Sequence, residues 1–148
     1  MRMTAHERDV AVERLKMASI LQYTVYGIPS VFYGDEAGLE GYHDPFCRRP
    51  FPWGRENTEL LEHYKKLGEL RNIEKAFDRG DFRVLEHSKE ILTYERSKED
   101  SYVVVIANGG ENIYRTRLEG KWIDMLSYES FENYITVLPN SARVMKKI

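Results

Sequence analysis

Only one apolar run in the first half of the chain has the character of a buried strand: Ile28 to Tyr33, with no polar alternation. That pattern suits a strand covered on both faces, as in a parallel sheet. Helical periods flank it on both sides, and every other strand-like segment lies beyond residue 80. Helix, strand, loop, helix is one βα unit of an α/β protein. One such unit cannot close a barrel or build an open sheet, so the sequence predicts an incomplete α/β layer.

The preceding helix is predicted over Thr4–Tyr26. Thr4-Ala5-His6-Glu7 fits a capping box, and Ala11, Leu15, Ala18 and Val25 fall on one stripe. Gly27 and Pro29 close it. Gly34 ends the strand at Asp35-Glu36. Residues 37–56 contain Gly38, Gly41, Gly54, Pro45, Pro50 and Pro52, which reads as a loop longer than a connector requires. Long ordered loops are more often functional. Asn57 is the expected N-cap of a second helix, with Leu60, Tyr64 and Leu67 on its inner face, running to Arg71 or Asn72.

After residue 80 the hydrophobic period becomes that of strands. Seven are predicted: 82–87, 91–96, 102–107, 114–118, 122–126, 134–138 and 142–146. Turn signals separate them, among them Asn108-Gly109-Gly110 and Glu119-Gly120. Short strands at this spacing predict an antiparallel sandwich. The expected division is residues 1–78 for the α/β part and 79–148 for the β part.

Composition narrows the function. Lysine and arginine number 22 against 24 acidic residues, a net charge of −2. Such balance gives no reason to expect nucleic acid or a membrane surface as partner. The longest strongly apolar run, Tyr102 to Ala107, is too short to span a bilayer. Cys47 is the single cysteine, and His6, His43, His63 and His87 do not pair at helical metal-ligand spacing, so no metal or other cofactor is expected. Met1 to Glu7 lacks the apolar core of a signal peptide, which leans toward the cytoplasm.

The residues Gly27-Ile28-Pro29 and Tyr33-Gly34-Asp35-Glu36, then Asp44-Pro45-Phe46-Cys47-Arg48, then Pro52-Trp53 carry a resemblance. In this order they resemble the region of the eighth barrel strand in the α-amylase family, glycoside hydrolase family 13. The likeness is to its neopullulanase, cyclomaltodextrinase and amylopullulanase type of members. The resemblance implies an α+β chain: the last βα unit of a (β/α)8 barrel followed by the β-sandwich called domain C. It implies retaining hydrolysis of α-glucosidic bonds by two carboxylates about 5 Å apart, assisted by a third acidic residue. The motifs that supply those three groups are not in this sequence, so the chain is expected to be inactive alone.

Asp35 and Glu36 are adjacent and project to opposite faces of a strand, which suits loop support better than a catalytic pair. The resemblance points instead to Asp44 and Arg48 as substrate-lining residues, with His43 beside them. A carboxylate accepts sugar hydroxyls while a guanidinium donates to others. The partner implied is an α-glucan oligosaccharide in the intact enzyme, by α-1,4 or α-1,6 linkage. Self-association through the exposed barrel remnant is also expected. The competing reading is a non-catalytic carbohydrate-binding sandwich bearing Tyr114, Trp122, Tyr128, Phe131 and Tyr134. Alternating aromatics at such positions more often fill a core.

Overall fold

A computed structural model describes residues 3–148; residues 1 and 2 of the first expected unit lie outside the described residues. Two helices pack on one face of a six-stranded antiparallel sheet. Helix α1 spans Ala5–Thr24 and α2 spans Thr58–Ile73, followed by a 3-10 turn over Lys75–Phe77. The strands are β1 (Asp81–His87), β2 (Ile91–Lys98), β3 (Ser101–Asn108), β4 (Tyr114–Asp124), β5 (Ser130–Val137) and β6 (Ser141–Lys147). Their order in the sheet is β1-β2-β3-β6-β4-β5.

Local chemistry sets the helix starts. The Thr4 hydroxyl accepts from the Glu7 amide at 3.3 Å, and the Glu7 carboxylate accepts from the Thr4 amide at 2.8 Å. Asn57 caps α2 by accepting from the Leu60 amide. The α1 stripe differs from expectation. Ser19, Ile20 and Thr24 are buried, while Ala11, Leu15 and Val25 are half-buried and Ala18 is exposed. The reason is packing direction: α1 meets α2 and the sheet through the Ile20–Thr24 side.

Strand β3 is the centre of the sheet. Its alternate side chains enter two different cores. Val103 and Val105 join Ile20, Leu67, Leu70, Phe77 and Tyr94 between sheet and helices. Val104 and Ile106 join Trp122, Ile135, Val137 and Met145 on the opposite face. Strand β4 pairs with β6 only over Trp122–Asp124, and with β5 over both Tyr114–Arg117 and Lys121–Ile123. Ile135 and Val137 of β5 thus pack over β3 although the two are not sheet neighbours.

Two further expectations are corrected. Residues 114–118 and 122–126 are not separate strands: β4 is continuous through Glu119-Gly120, where the register shifts against β5. Gly120 takes φ +101° there and donates its amide to Asn133 Oδ1, which makes a bulge rather than a turn. Second, residues 28–33 form no strand. The segment is irregular and leads into turns closed by bonds such as Asp35 N–H to Phe32 O. A strand needs a neighbour for its ladder, and none lies alongside; Ile28 stands 94% exposed.

The C-terminal end of α1 is held by two arginines from elsewhere. Arg71 of α2 donates to the carbonyls of Tyr23, at 2.6 Å, and of Gly27. Arg96 of β2, 1% exposed, donates to the carbonyls of Thr24 (2.7 Å), Gly80 (3.1 Å) and Asp81 (3.1 Å). The Thr24 hydroxyl and Tyr94 Oη lie 2.6 Å apart beside it. Buried Glu74 accepts from Lys146 Nζ at 2.6 Å and from the Ser101 hydroxyl, fastening α2 to β3 and β6.

Two outcomes are expected. Arg96→Ala strands three carbonyls, two of them buried, and opens a cavity, so it lowers unfolding free energy by about 3 kcal/mol, read from urea denaturation. His63 is held below its usual 6.5, chiefly by burial. The unfolded chain therefore takes up a proton that the folded chain resists, and stability falls as pH drops below 6.5 toward the folded value. Comparing urea midpoints of wild type and His63→Asn between pH 7 and 5 checks this: the variant loses that part of the slope.

Candidate functional site

The loop over residues 37–56 begins from a turn that only glycine fits. Gly34 has φ +91°, and a Cβ there would meet Leu39 Cδ2 at 2.9 Å. Its amide donates to the Glu36 carboxylate at 2.9 Å. The Asp35 carbonyl accepts from the Gly38 amide. Asp35 is half-buried, and burial, then the neighbouring Glu36 charge, pushes its carboxyl above the usual range. The Tyr64 phenol is pushed up to about 12, by burial first and then by the Asp35 charge. Pro29 is half-buried and Gly27, at φ +116°, is exposed.

The middle of the loop presents a charged pair. Arg48 Nε donates to Asp44 Oδ1 at 2.8 Å, with the two side chains 73% and 65% exposed. The peptide between Asp44 and Pro45 is cis. Turn bonds from the Phe46 amide to His43 O and from the Arg48 amide to Pro45 O, both 3.0 Å, bring the pair together. Among the described residues, Asp44 Oδ2 and the terminal nitrogens of Arg48 form no hydrogen bond. Those atoms are open to a ligand that both donates and accepts, as vicinal hydroxyls do.

The same loop carries several aromatic rings. His43 meets Phe46 edge to face at 6.1 Å, and both are exposed. Trp53 lies 4.6 Å from Phe51 and is 79% exposed, so packing of this ring against the helical layer does not occur. Arg49 stacks over Tyr42 at 5.0 Å. Cys47 is half-buried, with Sγ 3.7 Å from Asp44 Oδ1. Sequence reasoning missed two residues that tie this loop down, Arg8 and Tyr33. Arg8 bonds Glu40 at 2.8 Å, and Tyr33 Oη donates to Arg49 O at 3.0 Å. Nothing in the pattern flags contacts between residues 32 positions apart.

The rest of the surface offers less. Trp122 is 3% exposed, and Phe131 and Tyr114 pack on the second core, so these rings fill the interior. Tyr134 is exposed with Arg115 over its face at 4.3 Å. A cleft of about 480 Å³ between the helices and the β5–β6 end of the sheet is lined by Lys16, His63 and Asp124. Its Asp124 is already bonded to Arg143, Ser127 and the Val144 amide. Among the described residues no group of His, Cys, Asp and Glu is placed to hold a metal ion. No helix of the described residues is long and apolar enough to cross a membrane.

No family model matches the chain. It is 40% identical over 115 residues to an amylopullulanase of Thermoanaerobacter thermohydrosulfuricus, an alignment covering 70% of this chain and 8% of that enzyme. It is 33% identical over 143 residues to a cyclomaltodextrinase of Thermoanaerobacter pseudethanolicus, covering 91% of this chain and 25% of that enzyme. An Anoxybacillus α-amylase crystal structure superposes with TM-score 0.83 at 27% identity, over 93% of this chain and 33% of the other.

Because the Asp44–Arg48 pair is so exposed, it contributes little to folding. Asp44→Ala and Arg48→Ala are each expected to change unfolding free energy by less than about 1 kcal/mol, as measured by chemical denaturation.

Proposed function

We propose, from the premise that this chain belongs to the α-amylase family, glycoside hydrolase family 13, that it is the C-terminal part of an α-glucan hydrolase. One observation carries this reading. The alignment that fills 91% of this chain fills 25% of the cyclomaltodextrinase, so most of such an enzyme lies outside it. In this reading residues 1–78 belong to the end of a (β/α)8 barrel, and residues 79–148 are domain C.

The exposed apolar side chains support the barrel assignment. Tyr26, Ile28, Phe32 and Tyr33 stand uncovered just where an eighth barrel strand would meet its neighbours. Beside the missing strands, residues 28–33 would gain the ladder they lack here. Without them, the same surface favours self-association, since contiguous apolar surface seeks cover.

Asp44 and Arg48 act as one wall of the sugar cleft. The carboxylate accepts from one or two hydroxyls of a glucose unit, the guanidinium donates to others, and their mutual bond at 2.8 Å fixes both orientations. His43 adds a further polar edge. The substrates are α-1,4- or α-1,6-linked glucans such as maltooligosaccharides, starch or pullulan. Retaining hydrolysis needs an acid and a nucleophile on opposite sides of one bond, about 5 Å apart. Asp35 and Glu36 are consecutive, and both belong to the turn at Gly34, so these two do not form such a pair. A sugar-binding role for the sheet has less support, because Trp122, Phe131 and Tyr114 are taken up by its core.

The purified chain is expected to release no reducing sugar from maltoheptaose, pullulan or β-cyclodextrin. Turnover above the buffer blank, abolished by Asp35→Asn or Glu36→Gln, would overturn the proposal.

A further inference from the structure

The Asp44–Arg48 turn is held mainly by its own short-range bonds, so its placement depends on how the ends of the loop are fixed. Besides the bond from Asn57 N–H to Ala37 O, two side-chain contacts from outside fix them. At the exit, Tyr33 Oη donates to Arg49 O. At the entry, Arg8 on the first turn of α1 reaches across 30 residues. Its Nη1 bonds Glu40 Oε1 at 2.8 Å and its Nη2 bonds Gly38 O at 3.4 Å. Glu40 is mostly covered, its side chain 18% exposed.

Glu40 has other suitors. Arg8, Glu40, Arg49 and Arg55 line one cleft of about 430 Å³, together with Phe51 and Pro52. Arg49 and Arg55 are both on the far arm of the same loop. A carboxylate in that cleft pairs with whichever guanidinium has the best geometry. Pairing with Arg8 anchors the loop to a helix; pairing with Arg49 or Arg55 ties the loop only to itself. The rigid partner makes the difference, because α1 is fixed at its other end by the buried Arg96 contact to Thr24.

We propose that Arg8 is a positioning residue for the substrate loop: by holding Glu40 and Gly38 it fixes the loop entry and so the direction in which Asp44 and Arg48 face. The functional meaning of this rests on the glucan-binding reading of that pair; the positioning itself does not.

The experiment compares amide hydrogen exchange, resolved by NMR, in the full chain and in Arg8→Ala, Arg8→Lys, Glu40→Ala and the exchanged pair Arg8→Glu/Glu40→Arg. Arg8→Ala and Glu40→Ala are each expected to speed exchange at residues 42–48 about threefold, with β3 amides unchanged as the control for global stability. Arg8→Lys keeps the charge but loses the second bond, so it falls between. The exchanged pair restores slow exchange. Wild-type rates at 42–48 in Arg8→Ala, or no rescue by the exchanged pair, would overturn the proposal. Should Arg8→Ala fail to fold, Glu40→Ala decides the same point. Maltose is titrated in parallel: shifts at Asp44 and Arg48 that weaken in Arg8→Ala extend the proposal to binding. Absence of maltose shifts in wild type counts against the glucan reading alone and leaves the exchange rates as judge of Arg8.

Discussion

The buried guanidinium of Arg96 organises this protein. A helix end leaves carbonyls without partners, and α1 carries no basic residue in its own last turn. Arg96 and Arg71, on β2 and α2, supply the missing donors. Among the described residues no carboxylate pairs with Arg96; its hydrogen bonds go to three carbonyls, with the Phe77 and Tyr26 rings 5.8 and 5.7 Å away. The negative end of the helix dipole lies on the same side. Lysine has no planar fork to span three carbonyls. The contact therefore sets where the helical layer sits on the sheet, and the Gly80–Asp81 connection is drawn into the same knot.

That placement explains how a sheet and two helices hold together here. The inner core mixes side chains from α1, α2 and three strands, so the change of hydrophobic period after residue 80 does not separate two cores. Glu74 and Lys146 add a second fastening, one partner buried and the other half-covered. The loop over residues 37–56 is a passenger on this frame. It leaves from the Gly34 turn and returns to α2 through the bond between Asn57 N–H and Ala37 O.

Much of this was legible in the sequence, for reasons that can be named. Caps are local, so Thr4-Glu7 and Asn57 were readable within four residues. The rule that an unbroken apolar run is covered on both faces pointed to residues 28–33, whereas the strand that is so covered is β3. It failed at residues 28–33, because a run of apolar residues reports a need for neighbours, not their presence. Glu119-Gly120 was misread since a glycine at positive φ serves a turn and a bulge equally well. The Asp44–Arg48 pair was suggested by resemblance, and its spacing suits a turn. Arg8 carries no local signal, because its partner Glu40 is specified by tertiary structure alone.

The 72 residues that separate Thr24 from Arg96 have a consequence for synthesis. At ribosomal speed that distance corresponds to roughly 4–14 s. Throughout this interval the Arg96 donor for the Thr24 carbonyl has not been made, although Arg71 follows Tyr23 by only 48 residues. Its Ile20 and Thr24 side waits without the sheet that will receive it. A newborn chain of this kind is most open to capture by chaperones just before β2 leaves the exit tunnel, and slow codons placed there would lengthen the exposure.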